Sequence, residues 1–238
     1  MSAVELVTDR PSVSRNRLVL LVYTAAIFVS ALLLFSVQPL FTKMVLPRLG
    51  GSPAVWSVAM VFFQSLLLAG YVYAHLLMRI NNRLIPILVH LALLIVAFAT
   101  LPLAIAAGFG EPPTSAYAVW LLGLFVTSIG LPFFALAANN PLLQAWFVRT
   151  GHPDGVDPYF LYASSNIGSF LALLSYPFLL EPLFTLRTQN LIWTAGYGLL
   201  IVLIAACGLL LWRSPAFVPS AVAADSDAPS PSLATRAR

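Results

Sequence analysis

Six neutral polar side chains carry the chemistry that this sequence can offer within long apolar runs: Gln38, Gln64, Asn140, Tyr162, Asn166 and Tyr176. Amides and phenols hydrogen-bond a small solute without ionising, and an aromatic face holds an ammonium at about 0.5–2 kcal/mol. Their placement repeats. Gln38-Pro39-Leu40-Phe41 and Asn140-Pro141-Leu142-Leu143 are each followed by a short apolar stretch, an arginine (Arg48, Arg149) and glycine. A cap-plus-proline pair then launches the next apolar run behind an aromatic residue, and each launched run holds one amide, Gln64 or Asn166. These residues predict a solute pocket made from Gln64, Asn166, Tyr162 and Tyr176, with Gln38 and Asn140 at the two breaks. The competing reading is structural. Tyr162, Ser165, Ser169, Ala172 and Tyr176 follow a three-four spacing, the stripe of small and hydroxylated residues that close helix packing in lipid requires.

Other chemistry is missing from the sequence. His75, His90 and His152 fit no zinc spacing and have no cysteine pair beside them, so neither a metal nor a cofactor is expected. Gly108-Phe109-Gly110 lacks the strand and third glycine of a nucleotide turn. Cys207 lies inside an apolar run and reads as a packing residue. Lys43, Arg149 and Glu181 all fall at run ends, and Glu181 reads as the end of its helix before Pro182. No carboxylate is expected at mid-membrane depth, where it could relay a proton or neutralise a cationic substrate.

The elements that must position these groups follow from composition. Of 238 residues, 60% are hydrophobic and 8% charged, with mean hydropathy +0.92; an ordinary soluble domain is about 25% charged. The apolar runs are long enough for a hydrocarbon core of about 30 Å, which takes ~20 helical residues. They predict an all-α polytopic membrane protein with six spans: Leu18–Val37, Ala54–Met78, Leu84–Ala107, Ala116–Ala138, Tyr159–Leu180 and Leu191–Trp212. A polar arm, residues 1–17, precedes the transmembrane domain of residues 18–212. The Pro/Ser/Ala/Asp-rich residues 213–238 read as a disordered cytoplasmic tail. The first run is too long for a signal peptide's apolar region and reads as a span. Ser52-Pro53 and Asp157-Pro158 read as N-cap and first helical residue.

With the N-terminus in the cytoplasm, nine arginines (10, 15, 17, 79, 83, 149, 213, 236 and 238) fall inside, against Lys43, Arg48 and Arg187 outside. Cations that flank spans in this way orient them, and nucleic acid is not expected as a partner. The two echoing passages are three spans apart and hence inverted, predicting a 3+3 repeat like half of a facilitator.

The strings Ser36-Val37-Gln38-Pro39-Leu40-Phe41-Thr42-Lys43, Gly50-Gly51-Ser52-Pro53-Ala54-Val55-Trp56 and Ala69-Gly70-Tyr71-Val72-Tyr73-Ala74-His75 resemble a known family. So do Asn139-Asn140-Pro141-Leu142-Leu143-Gln144-Ala145-Trp146, Asp157-Pro158-Tyr159-Phe160-Leu161-Tyr162 through Ser169, and Ser175-Tyr176-Pro177 through Pro182. Together, over roughly residues 17–212, they are similar to the membrane region of bacterial fused proteins that join a facilitator-like helical part to a spermidine synthase domain. The resemblance implies the bacterial inner membrane and polyamine-related chemistry. No glycine-rich cofactor turn or amine-binding acid of the synthase domain has a counterpart after residue 212, so none of its catalytic residues carries over and the chain itself is not expected to be an enzyme.

Three functions are thereby distinguished. A transporter-like domain for a small solute follows from the echoing breaks and their amides. A non-catalytic anchor or scaffold for a separately encoded cytoplasmic aminopropyltransferase-like enzyme needs no pocket. An intramembrane enzyme has no nucleophile-base or metal constellation to support it.

Overall fold

The computed structural model describes residues 13–50, 53–113 and 115–214. Six helices follow in order: α1 (Val13–Leu49), α2 (Pro53–Met78), α3 (Leu84–Phe98), α4 (Tyr117–Arg149), α5 (Tyr159–Leu183) and α6 (Leu186–Trp212). A 3-10 turn, Pro153–Val156, links α4 to α5. All but α3 are long and apolar enough to cross a membrane. Their outer faces are apolar as well: Met60, Val119, Phe170 and Phe178 are each more than 60% exposed. Water does not tolerate an apolar surface of that extent on a monomer, whereas lipid does.

Hydrogen bonds sort the helix ends into two groups. At one end, Arg15 in the first turn of α1 donates to the Ser214 hydroxyl just past α6, and Arg83 before α3 donates to the Ser214 carbonyl. Arg149 at the end of α4 donates to the Met78 carbonyl at the end of α2 (2.7 Å), and His152 meets the Asn16 carbonyl. At the other end, Lys43 of α1 pairs with Glu181 of α5, and Gln189 of α6 donates to the Leu180 and Phe184 carbonyls. Successive helices therefore run up and down, and the Gln38 and Asn140 passages lie at opposite ends of the bundle.

The helices interleave. α1 packs most extensively on α5, and α4 on α2, while α6 covers both α1 and α3. Glycine permits the closest approaches. A Cβ on Gly168 of α5 would lie 2.6 Å from the Phe28 carbonyl of α1, and one on Gly70 of α2 would lie 2.7 Å from the Ala137 Cβ of α4. The core is aromatic: Phe62 stacks on Phe125, Phe41 meets Phe125 at a tilt of 58°, and Tyr23, Trp146 and Phe147 are wholly buried.

Several sequence boundaries are corrected. α1 runs through Gln38-Pro39 to Leu49, and α4 through Asn140-Pro141 to Arg149, so these prolines are interior rather than terminal. Each removes one helical hydrogen bond, which membrane helices tolerate where neighbours pack closely. Leu142, Leu143, Trp146 and Phe147 beyond Pro141 are completely buried, and their dispersion contacts hold the last turns. Helix α3, in contrast, stops at Phe98 rather than Ala107: Pro102 disfavours helix at Leu101, and the Asn190 side chain binds both backbone groups of Leu103 instead. Two π-turns, Val126–Gly130 in α4 and Tyr176–Leu180 in α5, were not foreseen. Pro132 follows the first after Leu131 and Pro177 lies within the second, and the missing proline N–H favours such a local slip. Asp157 is not a helix cap, since Pro158 holds that position without a side-chain bond. The predicted cap Ser52, the first twelve residues of the arm and residues 215–238 of the tail lie outside the described residues.

Candidate functional site

A recess holding an ion pair opens between the C-terminal part of α1, the start of α2 and the end of α5. It is a cleft of about 460 Å³ lined by Gln38, Thr42, Lys43, Trp56, Phe63, Tyr176 and Glu181, among others. Local structure accounts for each position. The extension of α1 beyond Pro39 places Pro39, Thr42, Lys43 and Leu46 along one face at the three-four interval, with Gln38 one turn before Thr42. The π-turn starting at Tyr176 directs α5 so that Tyr176, Pro177 and Glu181 face the same space.

The cleft's charge is an ion pair. Lys43 Nζ donates to Glu181 Oε1 at 2.8 Å, with the side chains 38% and 47% exposed. Trp56 forms an open wall, while Phe63 and Tyr176 are buried behind it. The Tyr176 hydroxyl has no protein partner. Such a site offers a carboxylate, an ammonium and aromatic faces to one small molecule, a set suited to amines and zwitterions rather than to neutral hydrocarbons.

Of the six residues singled out from sequence, the structure brings Gln38 and Tyr176 together in this cleft. Tyr162 lines a second, more open recess of about 800 Å³ with Pro141, Gln144, Asp157 and Tyr159. Asn140 donates to the Ser165 hydroxyl at 2.8 Å and serves the α4–α5 contact. Gln64 and Asn166 are exposed on the outer surface and line neither recess. The predicted stripe on α5 is shifted: Leu161, Ser164, Ser165, Gly168, Ala172 and Tyr176 are buried, whereas Tyr162 is outside.

Sequence reasoning missed Lys43, Glu181, Trp56 and Phe63 as members of one site. The available signal was topological, because six alternating spans put the end of the first and the end of the fifth on the same side. A buried polar pair was missed as well: His90 Nε2 meets Asn139 Oδ1 at 2.6 Å, with both residues fully buried between α3 and α4.

Fold and site together define an all-helical chain, built of helices apolar enough to cross a bilayer, with a mixed-charge aromatic cleft at one end. No protein-family model, curated protein or solved structure matches it.

Proposed function

We propose that this chain is a transporter-like integral membrane protein whose Lys43–Glu181 cleft receives a small amine or zwitterion. The observation that carries the reading is the 2.8 Å ion pair in a cleft of ligand size, walled by Trp56, Phe63 and Tyr176. An incoming ammonium replaces Lys43 at Glu181 and rests against the aromatic wall. A carboxylate on the same solute then takes the released lysine. The resemblance to the membrane part of fused spermidine synthase-like proteins makes a polyamine-related solute the first to test, although one carboxylate among the lining residues suits one amino end at a time.

The relation between the two recesses supports a 3+3 inverted repeat. Pro39, Thr42, Lys43, Leu46, Trp56 and Met60 line the first; Pro141, Gln144, Ala145, Val148, Pro158 and Tyr162 line the second. Every pair is separated by the same sequence interval as Pro39 and Pro141. One interval linking six lining positions at opposite ends of the bundle is what an inverted duplication produces. The arginine-rich end is assigned to the cytoplasm and the Lys43 cleft to the outer face of a bacterial inner membrane, following the arginine distribution.

The test is equilibrium binding and uptake of radiolabelled putrescine, spermidine and glycerol by protein in liposomes. Saturable binding of an amine, weakened at least tenfold by Glu181→Gln, is expected. Equal retention of all three, or none, sinks the reading. The scaffold alternative then stands, with an aminopropyltransferase-like enzyme docked on the arginine-bearing end.

A further inference from the structure

A further cavity lies behind the Lys43–Glu181 cleft, between α1, α5 and α6. It encloses about 360 Å³ and is lined by Leu33, Ser36, Tyr176, Gln189, Trp193 and Gly196, among others. No charged side chain lines it. Its polar groups are nearly all engaged: Trp193 Nε1 donates to the Leu33 carbonyl, Ser36 turns back to that carbonyl, and Ser175 turns back to Ala172.

Two polar atoms remain without partners, the Tyr176 hydroxyl and Gln189 Oε1, on residues 5% and 4% exposed. The orientation of Gln189 is fixed by chemistry. Its Nε2 donates to two carbonyls, Leu180 at 3.0 Å and Phe184 at 2.9 Å, so the oxygen must be the end left over. Both residues line the cavity, and a buried acceptor and a buried hydroxyl are each costly when unpaired. The rim includes Ile192 and Leu199, respectively 47% and 53% exposed, so the cavity opens toward the lipid-facing side of α6.

We infer that this cavity is a binding site for a neutral, membrane-dissolved alcohol: an apolar body with one hydroxyl. That hydroxyl donates to Gln189 Oε1 and accepts from the Tyr176 O–H, pairing both leftover groups. The body fills the space between Leu33, Trp193 and Gly196. An amine or carboxylate is excluded, because nothing in the lining compensates its charge. The site is independent of the solute-binding reading, except that Tyr176 lines both recesses.

Photolabelling in nanodiscs tests it, using a diazirine-tagged decanol and a diazirine-tagged decane of equal length. The decanol is expected to label the peptides spanning Ser175–Leu180 and Gln189–Leu199 at least fivefold more than the decane. Untagged decanol competes this excess away, and Tyr176→Phe abolishes it. Equal labelling by the two probes identifies a groove for lipid chains only and overturns the inference, as does an excess that survives Tyr176→Phe. If that variant does not fold, the decanol-to-decane ratio and the competition in the unaltered protein decide the matter alone.

Discussion

Lys43 and Glu181 are the residues on which binding and stability separate most cleanly. Their pair joins α1 to α5 across 138 positions of sequence, but both side chains are more than a third exposed. Exposed pairs contribute only about 0–1 kcal/mol. Replacing Lys43 by Met or Glu181 by Gln should therefore move the thermal midpoint of the detergent-solubilised protein by no more than a few degrees. Amine binding should respond differently to the two changes. Glu181→Gln weakens it at least tenfold, whereas Lys43→Met leaves the carboxylate unopposed and strengthens it. Equal losses in both would show that the ion pair is structural. Individually these charges were legible in sequence as residues at span ends. Their pairing was not, because it depends on where α5 leans after its π-turn. Gln64 and Asn166 teach the converse: an amide in an apolar helix reads as a pocket residue until the helix is rotated, and both face outward.

At the scale of the element, the five long helices were legible because their apolar runs have membrane length, and α2 and α5 start within a residue of their expected positions. Their ends were harder to read. Proline reads as a stop at Pro39 and Pro141, yet interhelical packing carries both helices onward. At Pro102 the Asn190 side chain instead takes both backbone groups of Leu103, and α3 ends short. The helix contacts hinge on two glycines. Gly70 and Gly168 each sit where an added methyl group would strike backbone on the facing helix, at 3.0 Å and 2.6 Å. Backbone cannot rotate away as a side chain can, so overpacking there should cost about 1–3 kcal/mol. Gly70→Ala and Gly168→Ala should each lower the thermal midpoint by several degrees in a size-exclusion stability assay. Gly110→Ala, with open space around its Cβ position, serves as the control and should leave it unchanged. If Gly168→Ala matched that control, the close α1–α5 contact would be refuted.

For the whole molecule, the decisive quantity is which helix ends share a side of the bilayer. The hydrogen bonds place the ends of α2, α4 and α6 together with the start of α1, and the ends of α1 and α5 together at the far side. The same division follows from the arginines, which nearly all flank one set of ends. Arg48 and Asp154 are exposed and lie just beside the two turns that close α1 and α4 on left-handed glycines, Gly50 (φ 68°) and Gly151 (φ 71°). Cysteine placed at either position reports its side through a membrane-impermeant maleimide, in a Cys207→Ser background whose native thiol is buried. In intact cells Arg48→Cys should label fully and Asp154→Cys should label only after permeabilisation, with Arg213→Cys following Asp154→Cys. Labelling of Arg48→Cys and Asp154→Cys from one side would mean that the two proline-glycine passages are not inverted copies. The matched interval between the recesses would then be coincidence, and the proposed inverted repeat would lose its structural basis. The Lys43–Glu181 cleft would fall with it, because Asp154 precedes α5 and Glu181 ends that helix: a start of α5 on the side of Arg48 would carry Glu181 to the opposite face from Lys43.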